Sequence, residues 1–212
     1  MIGAIAGLAG VFGLVFGSFI NVVAYRVPLG RSVVHPPSAC PNCGSPVLPR
    51  DNIPVISWFV LKGRCRSCEH PFSFRYPAVE ALTGILFAST VLVVGLVWVL
   101  PAYLWFVGVT IALILTDFDH KRIPNRILYP GTIVGALLLF LGALLDGDLT
   151  AFWRGGLGGI CYFAGLFLLA VIARGGFGFG DVKLSFMLGL FAAFQGWKQF
   201  GVGVFLAFFI GG

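Results

Sequence analysis

Asp117 closes the apolar run Leu104–Thr116, and Asp181 closes the glycine run Gly175–Gly180 and opens another apolar run. A carboxylate at a membrane boundary is costly to bury, so such an acid is a functional candidate by default. Two acids a few ångströms apart do not both ionise easily, and one keeps its proton near neutral pH. The ionised partner then takes a proton from water while the neutral one polarises a carbonyl. The chemistry this points to is peptide-bond hydrolysis. Gly178 and Gly180, just before Asp181, permit an irregular backbone that another chain can approach closely. The competing reading of this segment is a flexible turn with a helix-capping Asp. Asp119 lies two residues past Asp117 and so on another helix face; beside His120, Lys121 and Arg122 it reads as a solvated ion-pair member. No Ser has a nearby His, and Cys161 sits inside an apolar segment as a small hydrophobe.

A second constellation is Cys40-Pro-Asn-Cys43 with Cys65-Arg-Ser-Cys68, separated by 21 residues. That spacing suits a four-cysteine zinc site. Two thiolates per knuckle face one ion, and a closed tetrahedral shell is structural rather than catalytic. Arg64 and Arg66 are placed to offset the negative charge of four thiolates. Two disulfides or a redox pair remain the alternative, disfavoured in a reducing compartment. His35 and His70 are the substitute ligands. A module this small has little core of its own, so metal would supply folding free energy. Its apolar residues Ile53, Val55, Ile56, Trp58, Phe59 and Val60 are also available to pack on a membrane face.

The elements that must position these groups are membrane helices. The chain has 212 residues, 58% hydrophobic and 10% charged, with mean hydropathy +0.99. A soluble domain carries about 25% charged residues. The net charge of +6 is therefore a topology signal, not a nucleic-acid one. Seven apolar segments are evident, at 2–24, 78–100, 102–116, 127–145, 152–173, 182–194 and 200–210. A span needs about 20 residues, so the third and sixth are short. The N-terminal run reads as the first span rather than a removable signal. No internal repeat is evident. With the polar insert 25–77 inside, all of the 14 Lys and Arg except Arg154 and Lys198 fall inside, as do Asp117 and Asp181. Asp146 and Asp148 form an acidic turn outside.

The chain resembles the bacterial type IV prepilin peptidases, also called prepilin leader peptidase/N-methyltransferases. The resemblance is carried by Gly17-Ser-Phe-Ile-Asn-Val-Val-Ala-Tyr-Arg-Val-Pro28, the two cysteine knuckles, Arg50-Asp-Asn-Ile-Pro-Val-Ile-Ser-Trp58, Arg75-Tyr-Pro-Ala-Val-Glu80, Asp117 with Ile123-Pro124, and Gly178-Phe-Gly-Asp181. It implies an aspartyl endopeptidase with Asp117 and Asp181 as its catalytic pair. The substrates would be type IV prepilins or type II secretion pseudopilins, cleaved after a glycine at the cytoplasmic face of the bacterial inner membrane. It also implies methylation of the new N-terminus from S-adenosylmethionine, with Glu80 as a candidate participant; the plainer role for Glu80 is a helix-end acid. The expected fold is an all-α polytopic membrane protein with about seven transmembrane helices and a small cytoplasmic zinc module inserted after the first. Its expected domains are 1–24 (first helix), 25–77 (zinc module) and 78–212 (peptidase domain). Relative to the family the chain is expected to be truncated, since Phe209-Ile-Gly-Gly212 ends inside the seventh helix and similar proteins continue into an eighth. The expected partners are prepilin substrates and membrane lipid, without nucleic acid. Two other classes fit the acids and the module: a scaffold for pilus or secretion assembly, and a proton-coupled transporter, which would more often show repeat symmetry.

Overall fold

The structure is a computed structural model that describes residues 1–173 and 178–211, the side chains of 210 and 211 excepted. Arg174, Gly175, Gly176 and Phe177 of the glycine run lie outside the described residues. The described chain is helical: α1 (Ile2–Arg26), a 3-10 turn (Pro49–Asp51), α2 (Ile56–Val60), α3 (Arg75–Val94), α4 (Leu100–His120), α5 (Asn125–Asp146), α6 (Leu149–Ile172), α7 (Phe179–Gln195) and α8 (Trp197–Gly211). No strand occurs among the described residues; Ala39 with Pro46 and Arg64 with Pro71 form isolated bridges. Each of the seven apolar segments falls on a helix, and α1, α3, α4, α5 and α6 are long and apolar enough to cross a membrane. At 17 residues α7 extends about 26 Å at 1.5 Å per residue, short of a hydrocarbon core of about 30 Å. The protein is multi-pass.

The helix boundaries depart furthest from the expected ones at one place. The second apolar segment runs unbroken to Leu100 in the sequence, yet α3 ends at Val94 because Gly95 turns the chain with φ +83°. The third segment is correspondingly longer than it reads. Helix α4 spans 21 residues, carrying Asp117 and Asp119 within its last turn and ending before Lys121, which takes φ 52°.

The chain divides into two units. Unit 1 comprises Met1–Leu96 and Val107–His120, and unit 2 comprises Val97–Phe106 and Lys121–Gly212. Each is built on a glycine-lined helix pair, because lipid gives no hydrophobic drive between helices and close backbone approach must hold them. In unit 1, Gly10, Gly13 and Gly17 of α1 face Glu80, Thr83 and Gly84 of α3; a Cβ at Gly13 would meet the Thr83 carbonyl oxygen at 2.8 Å. In unit 2, Gly155, Gly158 and Gly159 of α6 face Phe186, Gly189 and Leu190 of α7, and a Cβ at Gly189 would meet the Gly158 carbonyl oxygen at 2.6 Å. Both obstacles are backbone, which cannot rotate away. Gly13→Ala and Gly189→Ala should each destabilise the fold by about 1–3 kcal/mol, read as a lower unfolding temperature in detergent, whereas Gly3→Ala, with nothing near its Cβ, should be neutral.

Polar links within each unit record which helix ends lie together. In unit 1 Arg75, at the start of α3, makes a bidentate ion pair with Asp119, at the end of α4. In unit 2 the Trp98 amide donates to Asp146 at the end of α5, and Lys183 of α7 donates to Asn125 at the start of α5. Arg154 near the start of α6 donates to the carbonyls of Ala193 and Phe194 at the end of α7. Each of these links joins helix ends within its own unit. The acidic turn has a local job as well: Asp148 caps α6 by accepting from the Ala151 amide at 3.1 Å. The Thr150 hydroxyl and then that amide hold the Asp148 carboxyl below the usual range. The cap therefore contributes above the unfolded carboxylate's pKa and is lost as pH falls through the lowered one.

Candidate active site and metal centre

The four cysteines converge. Sγ atoms of Cys40, Cys43, Cys65 and Cys68 all lie within 4.8 Å of one another. Cys40 and Cys68 are 3.7 Å apart and Cys43 and Cys65 are 3.9 Å apart. Ligands 2.3 Å from a tetrahedral zinc are separated by about 3.8 Å, so these two pairs already stand at the spacing of such a shell. The two knuckles are the same structure repeated 25 residues later. The Cys40 amide donates to Ser45 and the Cys65 amide to His70, both at 2.9 Å, while Val47 pairs with Ser38 as Phe72 pairs with Gly63. Gly44 takes φ +72° at the turn where the second knuckle has Glu69 at φ 57°. The repeat escapes a sequence reading because its halves share little beyond the cysteines and a proline.

Local donors prepare the sulfurs for charge. The Ser45 hydroxyl and amide lower the Cys43 thiol to about 6. Cys68 is favoured as thiolate by the His70 amide and Asn42, but burial and the neighbouring thiols Cys43 and Cys40 push it up to about 11. Four thiolates without a cation oppose one another, and the arrangement can hold a metal ion such as zinc. The neighbouring arginines are engaged elsewhere. Arg66 donates to both Asp51 oxygens at 2.8 and 2.6 Å, and Arg64 stands 3.9 Å from Glu69. Arg66 thus clamps the second knuckle to the 3-10 turn rather than neutralising sulfur.

Asp117 belongs to unit 1 and Asp181 to unit 2. Asp117 is exposed in the last turn of α4, one residue past the fully buried Thr116. Asp119 is held by Arg75 at 2.5 and 2.7 Å, a long-range partner that local charges did not suggest. Asp181 is exposed in the first turn of α7, where the positive helix end favours an anion. It is not the capping residue: Gly178 holds that position, and the Asp181 amide donates to the Gly178 carbonyl at 3.1 Å. Gly178 also leaves room for the acid, since a Cβ there would meet Asp181 Oδ2 at 2.8 Å. Gly180 packs on Ile123, whose Cβ would be 3.2 Å from a Gly180 Cβ. Lys183 Nζ donates to Asn125 and lies 4.9 Å from the Phe179 ring centroid.

Glu80 is buried on α3, and its Oε2 accepts the Val55 amide at 2.7 Å. The Ser18 hydroxyl is a second partner. Val55 has φ 62° and ψ −54°, and the Ile56 amide donates to the Pro54 carbonyl at 2.6 Å. This is a γ-turn of the strained kind. Its only sequence signal is the proline before it, and its partner is 25 residues away.

Residues 11–94 match the bacterial peptidase A24 N-terminal domain, and residues 104–212 match the type IV leader peptidase family. The chain belongs to the type IV leader peptidase family. A prepilin leader peptidase/N-methyltransferase of Bacillus subtilis (strain 168) is 37% identical over 84% of this chain and 70% of its own length. One of Myxococcus xanthus (strain DK1622) is 39% identical over 87% of this chain and 55% of its own length. One of Neisseria gonorrhoeae is 32% identical over 96% and 79%. No solved structure matches. The two family matches divide between α3 and α4, so Glu80 and the cysteines fall in the N-terminal match and both aspartates in the leader peptidase match.

Proposed function

We propose that this chain is a membrane aspartyl endopeptidase that removes the leader of type IV prepilins or type II secretion pseudopilins after a glycine. Its relatives carry the name prepilin leader peptidase/N-methyltransferase. The observation that carries the reading is the placing of two exposed carboxylates at helix ends inside the leader peptidase match, Asp117 in the last turn of α4 and Asp181 in the first turn of α7. In this reading one acid of the pair is ionised and draws a proton from water, while the other donates a hydrogen bond to the scissile carbonyl. Gly178, extended just before α7, is where an extended segment of substrate would pair.

The cysteine module holds one structural zinc through Cys40, Cys43, Cys65 and Cys68, which supplies a rigid fold and no bond-breaking. The module (25–77), the first helix (1–24) and the peptidase region (78–212) are the functional divisions, with the module and both acids on the cytoplasmic side of the inner membrane, supported by the Lys and Arg distribution. N-methylation of the product from S-adenosylmethionine belongs to the same reading. Glu80 does not offer the donor an open carboxylate, because it is buried and engaged by the Val55 amide. Expression in a bacterium lacking its own prepilin peptidase tests the function. Processed pilin on a gel is expected, and unprocessed prepilin despite membrane insertion would contradict it. An assembly scaffold would leave the prepilin uncut but bound.

A further inference from the structure

We propose that the cysteine module does not stand clear of the membrane but is seated in its interface through α2, with Ile56, Phe59 and Val60 among the headgroups and upper acyl chains. The depth follows from one hydrogen bond. Glu80 is the sixth residue of α3 and lies about 7.5 Å along the axis from Arg75 at 1.5 Å per residue. Its carboxylate holds the Val55 amide at 2.7 Å. The γ-turn at Val55 is therefore fixed about one and a half turns into a helix apolar enough to span, and α2 starts at the next residue. Helices that lie in the interface bury their apolar face about 5–10 Å past the headgroup boundary, the same range as the distance of Glu80 from the start of α3.

The side chains agree with that position. Ile56, Phe59 and Phe74 are each 60% exposed and Val60 is 69% exposed. Trp58 is the inner pin: it donates Nε1 to the Phe72 carbonyl at 3.2 Å. Its ring meets Phe59 edge-on at 5.3 Å and Phe74 at 5.4 Å. The apolar patch is thus rigidly attached at the start of α3, and α3 continues the same kind of surface with Leu82 and Ile85 exposed. Lipid is the occupant that this continuity selects, and the exposed Lys62 after α2 suits anionic headgroups. The strained γ-turn then has a purpose, since it turns the chain so that α2 begins at this depth while its amide is satisfied by Glu80. The inference stands on the multi-pass fold and is independent of the proteolytic reading.

The test uses the full chain with p-benzoylphenylalanine in place of Phe59 or Val60, reconstituted in phosphatidylethanolamine/phosphatidylglycerol vesicles and irradiated. Mass spectrometry should find lipid adducts at both positions, in yield comparable to the same probe at Ile85 of α3 and well above the probe at Arg64. Lipid adducts at Ile85 without any at Phe59 and Val60 would overturn the proposal. So would adducts at those two positions to a second copy of the chain or to another protein.

Discussion

Asp117→Asn and Asp181→Asn should each reduce prepilin cleavage by about 10²–10⁴-fold, the range for removing a positioned acid or base. Asn preserves size and one hydrogen-bonding oxygen, so the loss isolates the missing proton chemistry. The internal control is Asp119→Asn. Asp119 is bound to Arg75 on both oxygens and sits on a different face of α4. Its pair is partly exposed, at 38% for Arg75 and 29% for Asp119. Such pairs contribute up to about 1 kcal/mol, so Asp119→Asn should keep cleavage within about fivefold. Steady-state rates for the three variants at matched membrane levels decide this. Retained cleavage in either of the first two would sink the dyad.

The second large effect is on the module. The purified chain should carry one zinc, and replacing Cys40 and Cys43 together by Ser should remove it. A structural zinc in a small module contributes on the order of 10 kcal/mol of folding free energy at neutral pH. The sulfurs stand 3.7 and 3.9 Å apart, and nothing in the module replaces them as a core. The double variant should therefore lose protease resistance across 25–77, while α6 and α7 of unit 2 stay protected. Because every ligand must be a thiolate, protons compete with the metal and zinc should also leave on acidification. The Asp51–Arg66 clamp weakens in the same direction. The Arg66 hydrogen bond lowers the Asp51 carboxyl, so its contribution is present above the unfolded value and lost as pH falls through the lowered one. Metal analysis of an active preparation that finds no zinc would contradict the assignment.

What could be read from residues alone was the chemistry that one residue type and a spacing carry. Four cysteines in two short knuckles announce a metal shell whatever the backbone between them does. The apolar runs announce helices because lipid admits few alternatives. The break at Gly95 was hidden, because Leu96, Val97, Trp98 and Val99 continue the apolar run while a single positive φ ends the helix. The partners of Asp119 and Glu80 were hidden for another reason. Each is a tertiary bond, over 44 residues to Arg75 and over 25 to Val55, and local charge or propensity carries no trace of it. Arg66 shows the same limit: in sequence it lies between Cys65 and Cys68, but its partner in space is Asp51. The glycines of α1 and α6 were visible as composition, while their role in bringing α3 and α7 to backbone contact needed the packing.

The mass of the product reads the role of the Asp117–Asp181 pair without an intermediary. Purified prepilin is incubated in detergent with this chain and, separately, with its Asp181→Asn variant. A mature pilin beginning immediately after the leader glycine is expected with the first protein, and intact prepilin with the second. Where methyl donor is supplied, a further gain of about 14 Da, one methyl group, marks the second activity. Cleavage at another site, or equal cleavage by both proteins, would contradict an aspartyl leader peptidase.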